Sequence, residues 1–190
     1  MLFIISDVKM ELAFLLDVSS NNFRPDQFEK VLNSIKSTYA AFIIGKDETR
    51  VGIVTYSQRP RTVVSLDQYT SRQSLDTAVD QTLMSPLTSP SLLGQGLAAV
   101  KQLFYGKSRS ETPKILVVIT GGKSVDEVLE PSAALKVLNT TIFCVGVGHN
   151  IDRTELETVA STPTGNHVIV AAISHQETAG ENLASRIKKG

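Results

Sequence analysis

Residues 11–21 read Glu-Leu-Ala-Phe-Leu-Leu-Asp-Val-Ser-Ser-Asn, and this stretch decides the fold class. After Glu11 it is apolar at odd and even positions alike, until Asp17 ends the run. A short run of this kind predicts a strand that is covered on both faces, as parallel strands are. Similar runs follow at residues 50–56, 115–119 and 141–147. The sequence therefore predicts a sheet whose central strands are buried on both sides.

Between these runs, apolar residues recur at helical spacing. The clearest pattern begins at Pro25 and continues to residue 44, and a proline fits the first turn of a helix because its missing N–H is not needed there. Other helical patterns cover residues 92–104, 129–138, 152–160 and 174–188. Strands that alternate with helices predict parallel βαβ units in an open, doubly wound sheet.

One pair of strands is predicted to break the parallel pattern. Residues 61–66 follow residues 50–56 after only four residues, too few for a parallel crossover, so the pair should be antiparallel. We therefore expect an α/β fold with a doubly wound (Rossmann-like), mostly parallel sheet of about six strands. It should have one antiparallel edge strand and helices on both faces. Residues 1–190 show no internal boundary and are expected to form a single domain.

Composition argues against several classes of protein. Hydrophobic residues make up 42% and charged residues 20% of the chain, which is typical of a globular protein. Nineteen basic residues balance nineteen acidic ones, so we expect no nucleic-acid partner. No apolar stretch is long enough for membrane insertion, and the apolar start lacks the basic region of a signal peptide. The single cysteine, Cys144, is predicted to be a buried hydrophobe and leaves the compartment open.

Three loops are predicted to meet at the carboxyl ends of the strands, where such sheets bind ligands. Their sequences are Asp17-Val-Ser19-Ser-Asn21, Ser89-Pro-Ser91-Leu-Leu-Gly94 and Thr120-Gly121-Gly122-Lys-Ser. On these motifs, and on the runs at residues 50–57 and 142–148, the chain resembles a von Willebrand factor A domain over nearly its whole length. It is most similar to an N-terminal A domain of a collagen VI alpha chain, with matrilins next.

The resemblance implies a metal-ion-dependent adhesion site for Mg²⁺. By position, Asp17 matches the first aspartate of the family motif and Ser19 matches its first serine. Asn21 stands at the second serine, and Ser91 stands at the threonine. Gly121 stands where the family has its second aspartate. Because carboxylate charge offsets the dehydration of Mg²⁺, we expect a degenerate site with no cofactor, or with weak Mg²⁺ at most.

Catalytic motifs are poor in this sequence. Gly122-Lys-Ser resembles the end of a phosphate-binding P-loop, but Val117 stands where that loop needs its first glycine. The three histidines lack the spacing of a metal site, and no nucleophile elbow occurs. The chain is therefore predicted not to be an enzyme, with no catalytic residues. A nucleotide-binding enzyme on a similar sheet is the less favoured alternative.

The family resemblance implies a protein–protein interaction and adhesion module of the extracellular matrix, secreted as part of a collagen-VI-like chain. Its expected partners are other extracellular matrix proteins or neighbouring A domains. The main alternative is an integrin-type domain that binds its ligand through Mg²⁺. Asn139-Thr140-Thr141 is an N-glycosylation acceptor sequence, which makes Asn139 a candidate glycan attachment site.

Overall fold

The computed structural model describes residues 8–85, 90–172 and 176–189, which contain one six-stranded sheet with the order β3-β2-β1-β4-β5-β6. The strands are β1 (Glu11–Asp17), β2 (Arg50–Tyr56), β3 (Arg61–Val64), β4 (Lys114–Gly122), β5 (Thr140–Asn150) and β6 (Val168–Ala171). The helices are α1 (Pro25–Tyr39), α2 (Arg72–Asp80), α3 (Leu93–Lys107), α4 (Leu129–Val137), α5 (Arg153–Val159), α6 (Thr164–His167) and α7 (Gln176–Ile187).

The sheet has the predicted mixed topology. In its centre, Leu15 of β1 lies opposite Val54 of the parallel strand β2 and Val118 of the parallel strand β4. At one edge, β3 runs antiparallel to β2, with Thr62 opposite Val54. The predicted fold class is thereby confirmed. The chain leaves β1 toward β2 on one side and later returns to β4 on the other, so β1 and β4 flank the point where the strand order reverses.

Four elements differ most from the sequence prediction. Helix α1 ends at Tyr39 rather than at residue 44, and the next residues turn so that Ile44 forms a bridge to Thr49. Strand β6 and helices α2 and α6 were not predicted. The four residues of β6 are too few to show a period, and α2 buries only its residues Leu75, Ala78 and Val79.

A hydrophobic core lies on each face of the sheet. Successive side chains of a strand point to opposite faces, so Phe14 belongs to the core under α1, α2 and α7, whereas Leu15 belongs to the core under α3, α4 and α5. Helix α1 packs through Phe28 and Ile35, which are both buried. Cys144 lies in the second core, fully buried in β5. The two covered faces explain why β1 and β4 are apolar on both sides.

A buried carboxylate holds the amino ends of β1 and β2 together. Glu11 is 0% exposed and accepts hydrogen bonds from Arg50 at 2.5 and 2.9 Å and from the Arg109 Nε at 2.8 Å. The guanidinium of Arg109 also donates to the carbonyl oxygen of Glu48, 2.7 Å away. The loop between α3 and β4 is therefore fastened by an ion-pair cluster to the end of the sheet opposite the candidate site.

Candidate functional site

The candidate site is built around Asp17, the last residue of β1, which is 0% exposed. Its Oδ1 accepts a hydrogen bond from the Ser19 backbone N–H at 2.9 Å. Its Oδ2 accepts one from the Asn22 amide at 2.6 Å. The hydroxyl groups of Thr120 and Ser91 lie 3.3 and 3.4 Å from Oδ2. Side chains from three loops therefore converge on one carboxylate, and these four hydrogen-bonding groups are all neutral.

The structure brings most of the sequence-predicted residues together. Ser19 is fully buried, and its hydroxyl has no hydrogen-bond partner within the part of the chain that the structure describes. Ser91 is buried and close to Asp17. Gly121 is buried beside the same loop. Asn21 is exposed in the turn after Ser19, and it is the next residue that supplies the amide to the carboxylate.

Asn22 is a site residue that the sequence prediction missed. Its side chain lies against the two glycines at the end of β4. A Cβ at Gly121 would lie 2.9 Å from the Asn22 Cβ and 2.9 Å from the Phe23 Cζ, and a Cβ at Gly122 would lie 2.5 Å from the Asn22 Oδ1. Real Cβ atoms do not approach so closely, so the glycine pair provides the space that the Asn22 side chain fills. The two adjacent glycines at the end of β4 were the signal in the sequence from which this space could have been predicted.

Thr120 and Tyr56 complete the inner layer of the site. The Thr120 hydroxyl donates to the Gly122 carbonyl at 2.9 Å, which fixes the turn at the end of β4. Tyr56 is the last residue of β2 and is fully buried. Burial, and then the negative charge of Asp17, raise the pKa of the Tyr56 hydroxyl well above its ordinary value. Tyr56 is therefore a neutral phenol at physiological pH.

A second carboxylate, Asp126, lies in the loop after β4 and binds the first turn of helix α3. It accepts hydrogen bonds from the backbone N–H groups of Gly94 and Gln95, each at 2.9 Å, and from the Ser124 hydroxyl at 2.5 Å. These amides belong to the first turn of α3, where a carboxylate is favoured by the helix dipole. Asp126 therefore caps α3 rather than supplying the charge that is missing at Gly121.

Glu155 of α5 braces the same loop from the outside. Both of its carboxylate oxygens accept from the Ser124 backbone N–H, at 3.1 and 3.2 Å. Burial, together with the charges of Asp152 and Asp126, raises the pKa of the Glu155 carboxyl. Lys123 pairs with Asp152 at 2.8 Å. The outer layer of the site is therefore acidic, with Glu155 half-buried among carboxylates.

Asn139 lies at the other end of the sheet, between α4 and β5. It is exposed, and its φ of 55° places it in the left-handed region that asparagine tolerates. Its backbone N–H donates to the carbonyl oxygen of Lys136 at 3.0 Å and closes the end of α4. A glycan on its side chain would therefore extend from a surface turn.

Other chemistry is sparse in the described part of the chain. Residues 8–85, 90–172 and 176–189 contain no group of three His, Cys, Asp or Glu side chains that is arranged to hold a metal ion. Within those ranges, no helix is both long and apolar enough to cross a bilayer. Burial raises the pKa of the Cys144 thiol far above its ordinary value. Of the histidines, His167 stacks on Phe143 with ring centroids 4.7 Å apart.

Sequence comparison finds matrix relatives. Residues 11–180 match the family model of the von Willebrand factor type A domain. The collagen alpha-5(VI) chain of Mus musculus is 33% identical over 156 residues, which are 81% of this chain and 6% of that one. Matrilin-1 of Homo sapiens is 32% identical over 164 residues, which are 83% of this chain and 32% of matrilin-1. The chain thus spans a minor part of each of these relatives.

Structural comparison finds the same architecture in solved proteins. Proximal thread matrix protein 1 from the mussel byssus superimposes with a TM-score of 0.88 at 21% identity, covering 95% of this chain and 48% of that one. Another structure of that protein, with a zinc-occupied MIDAS motif, gives a TM-score of 0.87. The manganese-loaded TRAP protein of Plasmodium vivax gives 0.76 at 15% identity over 94% of this chain and 74% of that one. At these identities the likeness concerns the fold.

Proposed function

Because the chain belongs to the von Willebrand factor type A domain family, we propose that it is a protein–protein interaction module of the extracellular matrix, without enzymatic activity. In this proposal residues 1–190 form one domain of a secreted, collagen-VI-like chain. Its partners are other matrix proteins or neighbouring A domains. The relatives among collagen and matrilin chains support the proposal, since each contains a segment that aligns with most of this chain and is about one-third identical to it.

We also propose that the metal-ion-dependent adhesion site is degenerate. The observation that carries this is the composition of the Asp17 site: one carboxylate, three hydroxyl residues and an amide N–H that already donates to the carboxylate at 2.6 Å. Mg²⁺ prefers oxygen ligands in an octahedral arrangement and binds proteins through carboxylates. An N–H group that points at Asp17, the carboxylate at the centre of the site, does not fit such an ion. Adhesion is then independent of metal.

An integrin-type, Mg²⁺-dependent domain is the second candidate. It is favoured by the buried Ser19 hydroxyl, which has no partner within the described residues, because such an oxygen is a free ligand for a cation. The solved relatives with zinc or manganese point the same way. A nucleotide-binding enzyme is the third and weakest candidate, and calorimetry with ATP and NAD should show no tight binding.

Partner capture in the presence and absence of metal tests the first two candidates. The folded chain is immobilised, and collagen VI and matrilin-1 are passed over it in buffers containing Mg²⁺ or EDTA. We expect binding that is equal in the two buffers. Binding that disappears in EDTA would favour the integrin-type mechanism, and no binding to any matrix protein in either buffer would contradict the proposed function.

Glycosylation of Asn139 is tested by expression in mammalian cells behind a heterologous leader. We expect glycosidase treatment to reduce the apparent mass of the secreted chain. Asn139→Gln and Thr141→Ala should each abolish that change, because both destroy the acceptor sequence. Thr140→Val is the matched control, since it changes the middle position and leaves the acceptor sequence intact. A glycosidase-insensitive chain would show that Asn139 carries no glycan.

A further inference from the structure

We infer that Asn22 replaces the missing cation at Asp17, so that its side-chain amide is the permanent internal ligand of the site. This inference rests on the proposed degeneracy of the metal site and names the residue responsible for it. The family motif places its ligands at positions 17, 19, 21, 91 and 121, and position 22 is not among them. Asn22 is therefore a residue to which neither the motif nor the family match points.

The hydrogen-bond geometry supports this role. A buried carboxylate needs donors or positive charge around it, because burial without either is costly. The Asn22 Nδ2 to Asp17 Oδ2 distance of 2.6 Å is the shortest of the four Asp17 hydrogen bonds described above. The Thr120 and Ser91 hydroxyls lie 0.7 and 0.8 Å farther from the same oxygen, at 3.3 and 3.4 Å. The amide is therefore the principal donor on the oxygen that faces the other two loops.

The steric arrangement supports it independently. A side chain at position 121 would require space that Asn22 and Phe23 fill, since a Cβ at Gly121 would lie 2.9 Å from the Asn22 Cβ and 2.9 Å from the Phe23 Cζ. A Cβ at Gly122 would lie even closer to Asn22, at 2.5 Å from its Oδ1. An aspartate at position 121 and the observed Asn22 conformation therefore exclude each other. The observed position of the Asn22 side chain therefore depends on a glycine at position 121, and that glycine is also why the second carboxylate of the motif is missing.

The consequence is that the loops of the site are held without an ion. The turn of residues 20–22 is fixed internally by the Asn22 backbone N–H, which donates to the Ser19 carbonyl at 3.1 Å. The side chain of the same residue then links this turn to β1 through Asp17 and contacts the end of β4. Asn22 is thus a positioning residue. It makes the conformation of this surface independent of divalent cations.

Asn22→Asp is the sharpest test because it changes one amide to a carboxylate and adds no atoms. Two ionised carboxylates at hydrogen-bond distance repel each other, and a divalent cation between them removes the repulsion. We expect the variant to melt several degrees below the parent in EDTA. Millimolar Mg²⁺ or Mn²⁺ should then lower its unfolding equilibrium constant on the order of tenfold, whereas the parent should not respond. Asn166→Asp, at an exposed asparagine far from Asp17, is the matched control and should not respond either.

A variant pair covers the case in which Asn22→Asp does not fold. Gly121→Asp should strongly destabilise the protein, because a side chain at position 121 meets both Asn22 and Phe23. The added substitution Asn22→Gly should recover part of that loss and introduce a response to Mg²⁺. An Asn22→Asp protein as stable as the parent and indifferent to cations would overturn the inference. So would a Gly121→Asp, Asn22→Gly double variant whose folding stability does not respond to Mg²⁺. All these measurements use folding stability alone, so they stand or fall separately from partner capture.

Discussion

Strand β1 buries a carboxylate at each end, and the two are compensated in different ways. Glu11 at the amino end is 0% exposed and is bound by two guanidinium groups, of Arg50 and Arg109. Asp17 at the carboxyl end is also 0% exposed, but the groups around it are one backbone N–H, one amide and two hydroxyls. The carboxylate at the amino end is compensated by positive side chains of the same chain, whereas the one at the carboxyl end is held by neutral groups.

The difference separates structural from functional use of a buried charge. An ion pair inside the chain is permanent, and removing one partner leaves an uncompensated buried charge. A carboxylate held only by neutral donors has no counter-charge among those donors. In the family motif a cation supplies that counter-charge. In this chain the Asn22 amide donates to that carboxylate at 2.6 Å, and we infer that it takes the place of the cation. Under the proposed degeneracy, the Asp17 end has kept the carboxylate of a binding site while losing access to the ion.

The largest effect is expected when the charge balance at Glu11 is broken. Arg50→Ala should destabilise the protein by about 3 kcal/mol, near the lower end for a broken buried pair because Arg109 remains in place. Urea unfolding of the variant and the parent measures the change. Arg153→Ala removes an exposed pair with Glu157 and is the control, expected to cost about 0.5 kcal/mol or less. Equal costs for the two variants would show that the buried cluster is not structural.

An intermediate effect is expected when the charge at Asp17 is removed. Asp17→Asn leaves the Ser19 N–H or the Asn22 amide facing another donor, which should cost about 1–3 kcal/mol. Glu11→Gln makes the corresponding change at the other end and should cost more, since it leaves two guanidinium groups without their counter-charge. Denaturation of the two variants side by side measures the difference. A larger loss for Asp17→Asn would reverse the comparison.

A smaller effect is expected from pH, with opposite signs at the two ends. Burial acts to raise the pKa of Glu11, but hydrogen bonds from Arg50 and Arg109 outweigh it and lower that pKa. The stabilisation from Glu11 is thus complete above the ordinary glutamate pKa of about 4.3, and it is lost as the pH falls through the lowered value. The pKa of Glu155 is raised, chiefly by burial, so its ionised form is disfavoured in the folded state and acidification relieves that cost.

Thermal melting between neutral pH and pH 4 checks the Glu155 half of this expectation. In that window Glu11 keeps most of its charge while Glu155 takes up its proton. The parent should gain stability relative to Glu155→Gln as the pH falls, because the variant has no proton to take up there. Parallel pH profiles for the two proteins would contradict the raised pKa. Below pH 4 both should lose stability together as Glu11 is protonated.

The smallest effect is expected from Mg²⁺ on the unmodified protein. A ligand of the folded state adds RT ln(1 + [L]/Kd) to the stability, so a site with Kd above the free concentration adds less than about 0.4 kcal/mol. Melting in millimolar Mg²⁺ and in EDTA should therefore coincide. A metal-dependent shift would show that Asp17, Ser19 and Ser91 still hold an ion and that Asn22 can be displaced.

Most of the fold could be predicted from the sequence because its signals are local. The apolar runs of β1, β2, β4 and β5 are buried on both faces, and the four-residue connector before β3 leaves only an antiparallel pairing. Strand β6 was missed because a four-residue segment shows no period of its own. Its position depends on pairing with β5, in which Val168 lies opposite Cys144, and that contact is not visible in the local sequence.

The candidate site was predictable only in part because its geometry is not local. The positions of Asp17, Ser19 and Ser91 follow from strand order, since the carboxyl ends of parallel strands meet at one edge. The choice between Asn21 and Asn22 depends on the turn at residues 20–22 and on the space above two glycines 100 residues away in sequence. Position-by-position transfer of a motif selected Asn21, whereas the structure places the Asn22 amide on Asp17.

The burial of Cys144 makes it a built-in reporter of unfolding. It is the chain's single cysteine, lies between β4 and β6 with 0% exposure, and its thiol is held neutral by a raised pKa. Thiolates, not thiols, react with alkylating and oxidising reagents, so modification requires the middle of the sheet to open. The rate of alkylation therefore measures how often each variant exposes its core under native conditions, and the folded module remains protected in oxidising surroundings.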